Sequence, residues 1–371
     1  MIRIGVIGAS GVGAAHIAAL RDIPDLVVTG VAGTTQASAA AAAERFGVER
    51  AFRGAEAMIA SGTVDGVHVC SPNDLHAAAV RLAIQAGLHV VCEKPLTASL
   101  EDAMELAALD SQLGAAAVCY NYRYAPLFGR LARMVADGDL GTVHSVRAAY
   151  LQNWQLTAGE SWRNDPERSG PSRVLADIGT HLLDLVETAI ADEVSTITAN
   201  FLSLTGNDRP GRDDMADALV RFRRGGLGSL SLSQVSPGHM NTISIEIDGG
   251  LGTATWQLND RETLRVVRSA DAQSLRLDGH AEGRDSGRFW RSESDAHARL
   301  VRLFRAFYFP LLGRNAELDG SPVSLPGFRE AARHVELMYA AAAGIASPAP
   351  EGIPAGLSGT HVAIGDPTRR Q

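Results

Sequence analysis

Cysteine is scarce in this chain, with 3 in 371 residues. Cys70, Cys92 and Cys119 are far apart and match no metal-ligand spacing. Each ends an apolar run, so all three read as buried free thiols, and a reducing, cytoplasmic location is expected. Runs of basic residues are also lacking and the net charge is −8, so neither nucleic acid nor a membrane surface is an expected partner. No apolar stretch approaches the ~20 residues of a membrane span. No cleavable leader is expected, because a strand-like run opens at Ile2. No internal repeat is visible. What remains is 46% apolar and 20% charged residues, an ordinary globular composition, with length enough for two domains.

The stretch Ile2-Arg3-Ile4-Gly5-Val6-Ile7-Gly8-Ala9-Ser10-Gly11-Val12-Gly13 reads as strand, tight turn and helix start. Glycines let the backbone approach an anion, and a helix N-terminus offers free N–H groups, which suits a dinucleotide pyrophosphate. Gly8 and Gly13 fit the first and third glycines of G-x-G-x-x-G. Ser10 stands in the second place, and Gly11 is extra. Gly8, Ser10, Gly11, Val12 and Gly13 are the candidate cofactor residues of this turn.

Strand-like and helix-like segments then alternate. Strands are predicted at Leu26 to Ala32, Val64 to Cys70, Leu88 to Cys92 and Ala115 to Tyr120. Helices are predicted at Gln36 to Phe46, Asp74 to Ala86 and Ser99 to Leu113. Such alternation implies an α/β domain, a parallel sheet with helices on both faces and ligands beyond the carboxyl ends of its strands. The residues at those ends are informative. Gly33-Thr34-Thr35 follows the second strand, where an acidic residue would bind the ribose of NAD. Its absence favours NADP over NAD, although no Arg or Lys follows at positions 34–38. Ser71-Pro72-Asn73-Asp74-Leu75-His76 follows the next strand; capping explains the asparagine and aspartate but leaves His76 unexplained. Glu93-Lys94-Pro95 then places a lysine at a strand end between an acid and a proline.

These motifs occur together and in order: G-x-S-G-x-G-x-x-H from Gly8 to His16, S-P-N-x-x-H from Ser71 to His76, and Glu93-Lys94-Pro95. The chain therefore resembles the glucose–fructose oxidoreductase, inositol dehydrogenase and rhizopine catabolism (Gfo/Idh/MocA) family over about residues 1–345. The resemblance implies a Rossmann domain over 1–122. It implies a substrate and oligomerisation α+β domain over 123–347, with an open, mostly antiparallel sheet. It implies Lys94 beside a nicotinamide; Gly33, Thr34 and Thr35 at the adenosine ribose, and Ser71, Pro72, Asn73, His76 and Glu93, are the further candidate cofactor residues. The segment Asn121-Tyr122-Arg123 resembles the family's link to the substrate domain, which makes Arg123 a substrate candidate.

In the second half, Leu151-Gln152-Asn153-Trp154 and Trp162-Arg163 flank a polar loop. Asn153, Trp162 and Arg163 suit a sugar, with a ring on its C–H face and polar groups on its hydroxyls; anchoring of the loop by the tryptophans is the rival reading. The pattern resembles the branch that oxidises sugars and their derivatives. From Leu175 the sequence is helical, which puts Asp177 and His181 on one face at i, i+4, with Asp184 three further. A carboxylate-assisted histidine base, a metal site and a solvated face all fit that spacing, though the flanking leucines argue for burial. The resemblance selects the first, since Asp-x-Gly-x-His is the family's signature: His181 as base, Asp177 orienting it, Lys94 on the reacting oxygen, and no metal. Lys94 and His181 are both candidates to carry the proton.

Strands are expected at Thr142 to Tyr150, Ser195 to Leu204, Ala218 to Arg223, Gly228 to Gln234, Ile243 to Ile247 and Thr253 to Gln257. Their period-two alternation means that one face covers a core. Loops are expected at Thr205 to Met215 and Gly279 to Gly287, and helices at Ala296 to Leu312 and Phe328 to Ala346. A flexible tail is expected over 348–371. The resemblance implies that the other face of the sheet pairs subunits, as a homo-oligomer (dimer or tetramer). The expected function is NAD(P)-dependent hydride transfer to or from a cyclic sugar, sugar derivative or polyol. The alternatives are a biosynthetic ketosugar reductase and a non-catalytic dinucleotide-binding regulator.

Overall fold

The computed structural model describes residues 1–109, 115–159, 161–205, 212–259, 261–268, 274–278, 291–315 and 324–344. The first half is β1 (Ile2–Ile7), α1 (Val12–Arg21), β2 (Leu26–Gly33), α2 (Gln36–Phe46), β3 (Arg50–Arg53), α3 (Gly54–Ala60), β4 (Gly66–Val69), α4 (His76–Gln85), β5 (His89–Cys92), α5 (Leu100–Ala108) and β6 (Ala116–Val118). The six strands are parallel, in the order β3-β2-β1-β4-β5-β6. This is the Rossmann arrangement. The strand order reverses between β1 and β4, and a crevice opens there beyond their carboxyl ends. Sequence patterning missed β3 and α3. The strand has four residues, and only Ala51 and Phe52 between its terminal arginines are apolar, too few to show a period.

The second half is α6 (Pro126–Ala136), β7 (Val143–Gln152), α7 (Pro166–Ser169), a π-helical turn (Leu175–Gly179) running into α8 (Thr180–Ile190), β8 (Val194–Leu202), β9 (Met215–Phe222), β10 (Leu227–Ser233), β11 (Asn241–Gly249), β12 (Gly252–Leu258), β13 (Glu262–Arg268), β14 (Ser274–Asp278), α9 (Arg291–Leu311) and α10 (Phe328–Ala342). Eight strands form one sheet in the order β14-β13-β12-β11-β7-β10-β9-β8. Every pairing is antiparallel except β7 with β10. Its inner face buries Ile243, Ile245 and Ile247, then Ala254 and Trp256, in one core with Leu182 and Leu183 of α8. The outer face carries polar residues, with Arg147 on β7 paired to Glu246 and Asp248 on β11. The strands β13 and β14 lie beyond those read from the sequence.

Two helices tie the halves together. From α9, Leu303, Phe304, Phe307 and Tyr308 pack into the core of the first sheet with Ile4, Ile17 and Val31. Helix α10 packs on both α5 and α8. The expectations for 110–113, most of the 205–215 loop, the 279–287 loop and the 348–371 tail lie outside the described residues.

Candidate active site

A cleft of about 990 Å³ runs along the carboxyl ends of the first sheet. Gly8, Ser10, Gly11 and Val12 form one wall, and Gly33 and Thr34 line the end beside β2. Two of the glycines are dictated by space. A Cβ on Gly8, where φ is 87°, would stand 2.7 Å from the Cys70 carbonyl oxygen. A Cβ on Gly13 would stand 2.0 Å from the Gly8 carbonyl oxygen, so a side chain there would lever α1 off the turn. Gly13 therefore sets the packing behind the cleft rather than lining it. With this turn and a cleft of this volume, the residues present fit a dinucleotide.

Thr35 does not line the cleft. It caps α2: its hydroxyl accepts from Ser38 N at 3.0 Å, and Ser38 Oγ accepts from Thr35 N at 3.2 Å. The capping box occupies the side chain expected at the cofactor.

Ser71, Pro72, Asn73 and His76 line the middle of the cleft. The buried His76 ring bridges two loops, with Nδ1 3.0 Å from the Pro95 carbonyl and Nε2 2.8 Å from that of Ser71. Asn73 Nδ2 donates to the Ser169 carbonyl at 3.1 Å and so joins the two halves.

Glu93 and Lys94 line the deep end, where Trp162, Arg163 and Asp177 meet them from the second half. Lys94 Nζ donates to the main-chain oxygen of Asp177 at 2.6 Å and to its Oδ1 at 3.3 Å. Gln234 Nε2 donates to Asp177 Oδ2 at 2.6 Å, and Arg163 Nε lies 3.7 Å from Oδ1. The Arg163 guanidinium also stacks 4.6 Å from the Trp162 ring. Burial pushes the Asp177 carboxyl up, but Lys94, Arg163 and Gln234 outweigh it and hold the carboxyl below its usual range.

The expectation that Asp177 orients His181 does not survive in this geometry. Asp177 lies within the π turn and His181 just beyond it, and an i→i+5 turn is wider than an α turn, so this i, i+4 pair no longer shares a face. The Asp177 carboxylate goes to Lys94 and Gln234, and among the described residues neither nitrogen of His181 makes a hydrogen bond. His181 is 6% exposed, with the rings of Tyr122, Tyr120 and Tyr150 at 4.8, 5.8 and 6.4 Å. Burial, with the charges of Lys94 and Arg299, pushes its imidazole well below the ordinary histidine value. It is therefore neutral at neutral pH, with Nδ1 buried and unpartnered.

Arg123 is also redirected. It is 2% exposed, and its guanidinium is engaged by Asp184 at 2.8 Å and by Glu330. It fastens α8 and α10 to the link between the halves and presents nothing to a substrate. Burial raises the Asp184 carboxyl to about 6 despite that partner. Asn153 is half-buried and precedes a short 3-10 turn over Trp154–Leu156, outside the lining of the cleft.

Several companions of the site were not foreseen. Tyr122 and Tyr150 share a hydroxyl contact of 2.7 Å, Tyr150 donates to Asn241 Oδ1 at 2.8 Å, and Gln152 Nε2 donates to the same oxygen at 2.8 Å. The signal for Tyr150 was its inward register on β7. Gln234 and Asn241 carried none, because their partners come from remote elements. Behind the cleft, the buried His16 joins Glu93 Oε1 through Nε2 at 3.0 Å and His68 through Nδ1 at 2.8 Å. His68 reaches Tyr308 at 2.9 Å. An ionised Glu93 only accepts, so the proton of the first bond belongs to His16. His16, Glu93 and Cys119 bring a nitrogen, an oxygen and a sulfur within 4.8 Å of one another, and their mutual hydrogen bonding accounts for the cluster.

The family model described as the oxidoreductase family with an NAD-binding Rossmann fold matches residues 2–122, and the GFO/IDH/MocA C-terminal domain matches 128–255. Levoglucosan dehydrogenase of Pseudarthrobacter phenanthrenivorans is 29% identical, over 74% of this chain and 78% of that protein. The chain spans about half the length of several other curated relatives that it matches. An oxidoreductase domain protein from Kribbella flavida superimposes with a TM-score of 0.80 at 27% identity, covering 94% of this chain and 100% of that one. An inositol dehydrogenase homolog from Azotobacter vinelandii, complexed with NAD+, gives 0.78 at 25% identity over 92% and 95%. With a Rossmann cleft meeting Lys94 and Asp177 beneath an open sheet, and both halves matched in order, the chain belongs to the Gfo/Idh/MocA oxidoreductase family.

Proposed function

We propose that this protein transfers a hydride between a nicotinamide cofactor, NADP in preference to NAD, and a carbinol or keto carbon of a cyclic sugar, sugar derivative or polyol. The observation that carries the reading is the Lys94 ammonium held on Asp177 at the deep end of the cleft, with a buried, neutral His181 behind the lining whose imidazole feels the Lys94 charge. The nicotinamide, when bound, supplies the hydride donor or acceptor. Lys94 hydrogen-bonds the reacting oxygen and stabilises the negative charge it gains. His181 accepts the hydroxyl proton during oxidation and returns it during reduction, a role that needs the neutral imidazole. Asp177 acts through Lys94: it fixes the ammonium and offsets its charge. Trp162 and Arg163, at the same end, meet the ring and hydroxyls of the sugar. The names of the relatives, levoglucosan dehydrogenase and myo-inositol 2-dehydrogenase among them, support that substrate class.

We place residues 1–122 and 123–347 in separate domains. We place the protein in the cytoplasm as a homo-oligomer paired through the outer face of the second sheet, where Leu219 is 69% exposed among polar neighbours. The test is the absorbance of reduced nicotinamide on mixing the protein with NAD or NADP and a panel of inositols, free sugars and glycosides, then ketosugars with reduced cofactor. Turnover with one class is expected. Dinucleotide binding without turnover on either panel would instead favour the regulatory reading.

A further inference from the structure

The adenosine end of the cleft contains a feature that the mechanism above does not use. β2 ends at Gly33 and β3 ends at Arg53, and the two residues are register partners across the parallel pair. In a fold that prefers NAD, the residue at the end of β2 is a carboxylate that pairs with the free ribose hydroxyls. Here that position is glycine, and there is no room for anything larger. A Cβ on Gly33 would stand 2.5 Å from Ser38 Oγ and 3.0 Å from Ala39 N. Ser38 is held there by its reciprocal bonds with Thr35, so the start of α2 closes the space.

Directly beside this bare position stands Arg53. It is exposed, it lines the cleft, and among the described residues its guanidinium has no hydrogen bond or ion pair. Arg45 of α2 lines the same end, its guanidinium 5.0 Å from the Phe46 ring. Two guanidinium groups therefore line the end of the cleft where the ribose would lie, and among the described residues neither has an ion-pair partner. A guanidinium presents a planar fork of donors that matches phosphate oxygens, and the pair carries the opposite charge to a phosphomonoester. A single carboxylate, Glu56 on the first turn of α3, also lines this end, exposed. It is the rival: directed at the ribose, it would accept from free hydroxyls and repel a phosphate.

We propose that Arg53, assisted by Arg45, binds the phosphate on the adenosine ribose and selects NADP. The proposal rests on the dinucleotide reading above and deepens it. It also explains why no basic residue is needed at positions 34–38: the cation comes from the neighbouring strand.

The experiment uses ligands without a nicotinamide, so that chemistry plays no part. Calorimetric affinities for 2′-phospho-ADP-ribose and ADP-ribose are measured for the full chain and for Arg53→Ala, Arg45→Ala and Glu56→Gln. The full chain is expected to bind the phosphorylated ligand ~10-fold or more tightly, a preference that shrinks with added salt. Arg53→Ala should abolish most of that preference and leave ADP-ribose affinity within about 2-fold, because the lost bonds are to the phosphate alone. Equal affinity of the full chain for both ligands would overturn the proposal. So would a preference for ADP-ribose that Glu56→Gln removes, or equal weakening of both ligands in Arg53→Ala. Failure of both ligands to bind would overturn the dinucleotide reading itself, and this one with it.

Discussion

Asp177 grips Lys94 twice, once through its carboxylate and once through its own main-chain oxygen. The two contacts separate in a variant. Asp177→Asn keeps the main-chain acceptor, so the ammonium stays in place but loses its counter-charge. Turnover should fall by ~10-fold or more while dinucleotide affinity stays within about 2-fold, since the pyrophosphate turn is remote. Steady-state kcat alongside a fluorescence titration with reduced cofactor reads both; a loss confined to cofactor affinity would contradict the assignment. His181→Ala removes the proposed base, and a loss on the order of 10²-fold is expected. The same histidine sets a pH dependence. Its imidazole is held well below the ordinary value by burial, helped by Lys94 and Arg299. It therefore stays neutral, and able to accept a proton, down to a lower pH than a free histidine. The acid limb of kcat/KM for oxidation should lie below ~6.5. A limb centred at or above that value, unchanged in His181→Ala, would show that another group carries the proton.

At the scale of elements, the π turn over Leu175–Gly179 decides how the second half meets the first. It faces Asp177 toward Lys94 and Gln234 and leaves His181 among tyrosines. Gly179 makes the turn possible: an added Cβ would lie 2.8 Å from Leu175 Cδ2 and 3.2 Å from Leu232 Cδ1 on β10. Overpacking of this kind costs about 1–3 kcal/mol, against a gain of about 1 kcal/mol from alanine's helix propensity. Gly179→Ala should lower stability by up to ~2 kcal/mol in urea titrations. It should also slow turnover, because it pushes the turn off the strand that leads to Gln234. A variant more stable than the native chain would show that the glycine is not there for space. The same turn marks where the sequence was legible and where it was not. The Gly8–Gly13 turn and Lys94 could be read because local sequence sets the local backbone. The spacing of Asp177 and His181 was also read, but with an α-helical period, and nothing in the pattern of leucines announces an extra residue per turn. Arg53 went unread because its strand is too short to show alternation, and Gln234 because its partner lies 57 residues away.

The whole molecule depends on charges buried between its halves. Glu187 of α8 accepts from Val194 N at 2.6 Å, from His334 Nε2 at 2.9 Å and from Arg333 at 2.7 Å. The other nitrogen of His334 lies 3.2 Å from the hydroxyl of Tyr120, two residues past the end of β6 in the first half. Removing one member of such a cluster strands the rest in low dielectric, which costs several kcal/mol. Burial pushes the Glu187 carboxyl up, but His334 and Arg333 outweigh it and bring it from 4.5 to about 2. A depressed carboxylate stabilises the fold above its unfolded value, and that contribution disappears as pH falls through the folded one. At ~1.4 kcal/mol per pH unit, Glu187 contributes about 3 kcal/mol that is lost between about pH 5 and pH 2. Asp184, raised to about 6, acts in the opposite sense: its contribution is complete below about pH 4 and lost as pH rises through 6. The two windows barely overlap, so difference measurements separate them. The stability of the native chain minus that of Glu187→Gln should shrink by about 3 kcal/mol from pH 5 to pH 2, while the same difference for Asp184→Asn should change mainly between pH 4 and 6. A Glu187 difference that stays flat across the acid range would mean that its carboxylate does not hold the halves together through its charge.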